Sequence, residues 1–153
     1  MIQLYYQASF LIFILVTILW IWSVYLKDVS IVDIFWGLGF VILNIFYVFN
    51  SGDLNSRKIL LVVLVSVWGL RLSIYLAYRN IGKGEDFRYQ EFRRKFGPKR
   101  YWWFSYFQAF LLQGALMILI SSTLLGMSFS SQPTTLSTLD YIGIGIWLIG
   151  FIF

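Results

Sequence analysis

Cysteine and histidine are both absent from the 153 residues. The first absence excludes disulfides and thiolate chemistry. The second removes the commonest general base and the commonest metal ligand, so these residues cannot assemble a histidine-dependent triad or a histidine metal site. Charge is scarce as well: 12% of residues are Asp, Glu, Lys or Arg, about half the share in an ordinary soluble domain. The acids number 7 and are scattered, so no carboxylate metal cage is expected either.

Apolar side chains fill the space that charge leaves. Hydrophobic residues make up 59% of the chain and aromatics 21%. A soluble domain of this size turns much of its surface to water and could not hide so many. The first ten residues, Met1 to Phe10, carry no Lys or Arg. The apolar stretch after them is too long for a secretory signal, and no small-residue cleavage site follows. It reads as a retained membrane span.

A bilayer core needs about 20 apolar residues as a helix. The sequence offers such stretches at about 8–26, 31–49, 59–78 and 101–127, with a further apolar run at 139–153. Solid apolar runs lack the alternation of barrel strands. The expected fold is therefore all-α: a polytopic transmembrane helical bundle in a single domain, with about five helices and the fifth truncated. That last run is too short to cross, so the chain is expected to be a fragment of a longer one or a natural truncation. The segment 79–100 is expected to be a strongly basic loop.

Lys and Arg set the orientation. Lys27, Arg79, Lys83, Arg88, Arg93, Arg94, Lys95, Lys99 and Arg100 fall on one side, with only Arg57 and Lys58 opposite. The basic side is expected to be cytoplasmic and the N-terminus outside, in a plasma (inner) membrane. Tyr101, Trp102 and Trp103 sit where an aromatic belt belongs.

Ionisable residues inside spans cost about 2.5–3.5 kcal/mol each on insertion scales, so they call for a reason. Asp33 lies about one turn into the second span, and Arg71 about two turns, or ~12 Å, from Arg79 on the third. A direct Asp33–Arg71 pair would neutralise both. Arg71, Tyr75 and Arg79 recur every fourth residue and share a face, which Trp68 extends. Gly37 and Gly39, flanking the Trp36 side of the second span, suit close approach of a helix or a ligand. Two cations and a tyrosine on one face, opening into a basic segment, suit a phosphate-bearing ligand. The bland alternatives are a structural ion pair, an Arg reaching for headgroups, and a topogenic loop. Gly82-x-Gly84 lacks the strand and third glycine of a dinucleotide fingerprint. Nucleic acid is not an expected partner. Gln113 on the fourth span is expected to make an interhelical hydrogen bond.

At these residues the sequence resembles a known family. Asp33-Ile34-Phe35-Trp36-Gly37 is similar to the Asp-x-x-Trp-Gly motif of bacterial membrane proteins related to steroid 5-alpha-reductase. Trp68-Gly69-Leu70-Arg71-Leu72, Arg79 and Gly84-Glu85-Asp86-Phe87-Arg88-Tyr89 resemble that family's central signature in order and spacing. Trp102, Phe107 and Gln113-Gly114 resemble its next helix. The resemblance implies packed transmembrane helices, akin also to isoprenylcysteine methyltransferases. It further implies NADPH-dependent reduction of a conjugated carbon–carbon double bond in a lipid or steroid-like substrate. By motif, Arg71, Arg79, Glu85, Asp86, Arg88 and Tyr89 would serve the cofactor, and Asp33 and Trp36 would border the substrate pocket. Catalytic residues are not indicated. The family's late Arg-His-Pro-Asn-Tyr segment, which supplies much of its cofactor site, is not among these residues. Two alternatives stand beside the reductase: an S-adenosylmethionine-dependent membrane methyltransferase and a non-catalytic scaffold or carrier.

Overall fold

A computed structural model describes residues 1–129 and 135–153. Among the described residues there are six helices and no strand: α1 Ile2–Leu26, α2 Ile31–Asn50, α3 Ser56–Asn80, α4 Phe87–Phe96, α5 Pro98–Ser128 and α6 Thr138–Ile152. The protein is an all-α helical bundle. Four helices, α1, α2, α3 and α5, are long and apolar enough to cross a membrane, which makes it an integral membrane protein. The expected start of the fourth span moves back to Pro98, and residues 130–134 of the link between α5 and α6 lie outside the described part.

Local chemistry sets the boundaries. Lys27 ends α1 in the left-handed region (φ 56°), and its N–H returns to the carbonyls of Ser23 and Val24. Asn55 caps α3, its side-chain oxygen accepting the Lys58 N–H at 3.0 Å. Asp86 caps α4 in the same way through the Arg88 N–H at 3.0 Å. Such caps satisfy backbone donors that the first helical turn leaves open. Gly97 (φ 83°) takes a conformation disfavoured for other residues and turns the chain into Pro98, the first residue of α5. The expected loop over 79–100 is thus corrected: α3 reaches Asn80, and a helix of its own, α4, occupies Phe87–Phe96.

α2 is the central helix, packed on α1, α3 and α5. It crosses α3 where Gly37 meets Gly69. A methyl group on Gly69 would sit 2.6 Å from the Gly37 carbonyl oxygen, and one on Gly37 would overlap the Gly69 carbonyl. Polar links join the helices inside the apolar mass. The Leu38 N–H donates to Ser73 Oγ at 3.1 Å, Asn44 Nδ2 to the Leu61 carbonyl at 3.2 Å, and Tyr47 and Ser121 share a hydroxyl bond of 3.1 Å. Buried Ile12 and Val16 of α1 seat against Gly114 of α5. A π-helical stretch, Tyr106–Leu111, interrupts α5 beside α1. There Tyr106 bonds Thr17 at 2.9 Å and packs on Trp20. α6 holds to α3 through Arg57, whose Nε lies 2.9 Å from Asp140.

Candidate functional site

The first turn of α2 places Asp33 at the basic end of the bundle, and α4 folds back over it. Arg88 Nη2 donates to Asp33 Oδ2 at 2.7 Å. The Tyr89 hydroxyl donates to Asp33 Oδ1 at 2.8 Å, and Gln113 Nε2 of α5 reaches the same oxygen at 3.2 Å. Gln113 Nε2 also lies 3.3 Å from the Tyr89 oxygen. Three side chains from two helices, α4 and α5, therefore converge on one carboxylate of α2. Gln113 Oε1 is buried with no hydrogen-bond partner among the described residues.

Arg88 has a second partner. Its Nε donates to Asp86 Oδ1 at 2.9 Å, and Nη2 lies 3.2 Å from Asp86 Oδ2. These bonds with Asp86, and the charge of Asp33, hold the guanidinium more firmly protonated than usual. In return, Arg88 hydrogen bonding keeps the Asp86 carboxyl below its ordinary range. Burial, then the neighbouring Asp33 charge, pushes the Tyr89 phenol well above its usual value, so it stays protonated at any physiological pH. Arg79 is looser: its Nη2 approaches Asp86 Oδ2 only to 4.0 Å, and its side chain is about half exposed.

The segment between α3 and α4 is stapled to the start of α2. Glu85 Oε1 accepts the Val29 N–H at 3.0 Å, and the Asp86 N–H donates to Ser30 Oγ at 2.6 Å. Arg93 grips Glu85 at 2.8 and 2.9 Å. An acid at a helix start suits the open backbone donors and the positive end of the helix dipole. This staple, with the Asp86 cap, brings Arg88 and Tyr89 above Asp33.

A cavity of about 800 Å³ opens beside the cluster, lined by Asp33, Trp36, Leu72, Leu76, Arg79, Asp86, Phe87, Arg88, Gln113 and Leu116. Its polar groups gather at the basic end. Its other walls are Trp36, itself braced edge-to-face on Phe40 at 5.5 Å, Phe87 and three leucines.

The sequence-derived candidates separate into three groups. Asp33, Trp36, Arg79, Asp86 and Arg88 line this cavity, with Tyr89 bonded behind it. Glu85 is in the staple and does not line the cavity. Arg71 stands elsewhere: it donates to the Phe151 carbonyl of α6 and lies over the Phe151 ring at 4.4 Å. The expected Asp33–Arg71 pair is therefore replaced by Asp33–Arg88, because α4 delivers a cation to Asp33 from outside the span. Tyr75 is exposed rather than turned into the site. Sequence spacing missed Leu72 and Leu76. With Arg79 they form an i, i+4, i+7 stripe, a narrower face than the one through Arg71 and Tyr75.

A family model described as protein of unknown function (DUF1295) matches residues 19–153. No curated protein matches the chain. No solved structure matches it.

Proposed function

The chain belongs to the DUF1295 family of proteins of unknown function, and from that premise we propose a membrane-embedded reductase. Its substrate would be a lipid or steroid-like molecule with a conjugated carbon–carbon double bond, and its reductant NADPH. One observation carries the reading. Asp33 and Trp36 of α2, Arg79 of α3, and Asp86 and Arg88 around the start of α4 come from separate stretches of sequence, yet line a single cavity. Those are the motif residues on which the likeness to steroid 5-alpha-reductase relatives rests. The cavity also has the polarity that an amphiphile needs, with charged groups at one end and Trp36, Leu72, Leu76 and Leu116 along its walls.

The fit to a dinucleotide is uneven. Arg79, half exposed, spends Nε on Asn80 Oδ1 at 3.1 Å and approaches Asp86 only to 4.0 Å, which leaves Nη donors to spare for a phosphate. Arg88 is already shared between Asp33 and Asp86, so its role is to hold the wall together rather than to grip phosphate. NADPH would supply the hydride. The chain's own residues would orient the substrate, with Trp36 and the leucines against its apolar body. Neutral Tyr89 and charged Arg88 would keep Asp33 in register. The basic end would face the cytoplasm, where NADPH is found.

A second reading has an observation of its own. Within the cluster the charges of Arg79 and Arg88 are matched by Asp33 and Asp86, which suits a lipid carrier that never meets a polyanion. The purified protein in lipid nanodiscs separates the readings. NADPH and S-adenosylmethionine are titrated separately, then a membrane-soluble enone is added and NADPH absorbance followed. NADPH binding with enone-dependent oxidation is the expected result. Arg79→Gln should weaken NADPH binding about tenfold or more, the loss of one charge-assisted hydrogen bond. Enone binding without NADPH binding favours the carrier, and S-adenosylmethionine binding alone favours a methyltransferase.

A further inference from the structure

A second cavity, of about 520 Å³, lies at the same end of the bundle on the far side of the Glu85 staple, and its lining includes Lys27, Arg93, Ser23, Ser105, Pro98 and Trp102. We propose that it binds the phosphate of a phospholipid headgroup, independently of the reductase reading.

Its depth is the first reason. Lys27 follows the last residue of α1, and Pro98 is the first of α5. Both helices are long and apolar enough to span a membrane, so the cavity sits where apolar helix gives way to charge. Trp102, half exposed on its wall, stacks on Trp20, whose Nε1 donates to the Trp102 carbonyl at 2.8 Å. Tryptophan at such a level suits the headgroup region.

Charge is the second reason. The nearby carboxylates are engaged. Glu85 is taken by Arg93 and the Val29 N–H, and Asp28 Oδ1 by the Ser30 N–H at 2.8 Å. Among the described residues Lys27 forms no ion pair. Arg93 uses Nε and Nη2 for Glu85, and among the described residues its Nη1 forms no hydrogen bond. Lys99 and Arg100, next in sequence to Pro98, are exposed and add positive charge with no acid in that first turn. An ammonium and a fixed, half-used guanidinium at the rim of a cavity form a donor pair for a phosphodiester. Val24 offers the glycerol an apolar wall.

The test is native mass spectrometry of the protein with phosphatidylglycerol, with glycerol phosphate as the soluble arm. One retained phosphatidylglycerol is expected, and millimolar glycerol phosphate should fail to displace it. Lys27→Gln removes charge, and Val24→Trp fills the space with charge intact. Each should lower retention at least fivefold. Arg94→Gln, whose side chain is 79% exposed and outside the cavity, should leave retention within twofold. Thermal melts check that each variant is folded, and either cavity variant suffices if the other is not. Equal losses for Lys27→Gln and Arg94→Gln would reduce the effect to general basicity and overturn the site. Undiminished retention in a folded cavity variant would overturn it too, and so would displacement by glycerol phosphate.

Discussion

Arg88 Nη2 lies 2.7 Å from Asp33 Oδ2, joining the first turn of α4 to the first turn of α2 across 55 residues of sequence. The Asp33 side chain is 14% exposed and that of Arg88 50%. A carboxylate this sheltered needs its donors more than the half-exposed guanidinium needs its acceptor. Arg88, Tyr89 and Gln113 are those donors.

A double-mutant cycle on Asp33→Asn and Arg88→Gln measures this pair. Because Arg88 is half in solvent, the expected coupling is modest, ~0.5–1 kcal/mol. The same cycle on Asp33→Asn and Arg71→Gln should be additive within about 0.5 kcal/mol, since Arg71 is committed to Phe151. Unfolding in detergent by denaturant titration gives both numbers. Coupling in the second cycle and none in the first would reverse the assignment.

The α2–α3 crossing yields a steric test. Gly37→Ala and Gly69→Ala each force a methyl into the partner helix's backbone, where no flexible side chain can give way. Each should destabilise by about 1–3 kcal/mol or more. Gly126→Ala on α5 meets nothing within 4 Å among the described residues and should be neutral or slightly stabilising, as alanine is the better helix former. Melting temperatures of the three variants in one detergent decide it.

Asp86 gives the protein an acid-sensitive joint. Its folded pKa lies below the ordinary value, mainly through the Arg88 side-chain bond. A depressed carboxyl stabilises the fold fully above its unfolded value of about 3.9, and the contribution fades as pH falls through the folded value. Asp86→Asn should therefore lower the melting temperature at pH ~7. The gap to the parent protein should shrink below pH ~4. A gap independent of pH would show that the Asp86–Arg88 bond does not stabilise the charged form.

Arg57 bonds Asp140 with both carboxylate oxygens at 2.9 Å, and Nη2 reaches Ser137 at 3.2 Å. No α6 side chain is buried, so this clasp and the Arg71–Phe151 contact are its main polar ties to α3. Arg57→Gln should raise hydrogen–deuterium exchange across α6 and leave α2 unchanged. Unaltered exchange in α6 would show that apolar contact alone holds it.

The sequence made some of this architecture legible. Apolar runs of span length marked α1, α2, α3 and α5, because a bilayer demands length and apolarity before any packing. Gly37 was readable as a point of close approach, and the structure finds Gly69 there. Less accessible was α4. Dense charge masked it, although its signs were present: Asp86 as a cap and Gly97-Pro98 as a stop and restart. Missing α4 led to the wrong partner for Asp33. A span-only reading pairs it with the nearest intramembrane cation, whereas the staple at Glu85 and Ser30 brings Arg88 from outside the span. The choice of face on α3 failed for a different reason. At 3.6 residues per turn, Arg79 lies near both Tyr75 and Leu76, and only packing of α3 against α2 turns the leucine side to the cavity.

The cavity between α2, α3 and α5 is tested most directly by photo-crosslinking. The protein in nanodiscs is irradiated with a diazirine-bearing, enone-containing sterol-like lipid, and labelled peptides are mapped by mass spectrometry. Label is expected on Trp36, Leu72, Leu76 and Leu116, suppressed by excess unlabelled enone and by a cavity-filling Leu76→Trp. Label confined to outward residues such as Ile74 and Tyr78, unaffected by competitor, would contradict a binding site there.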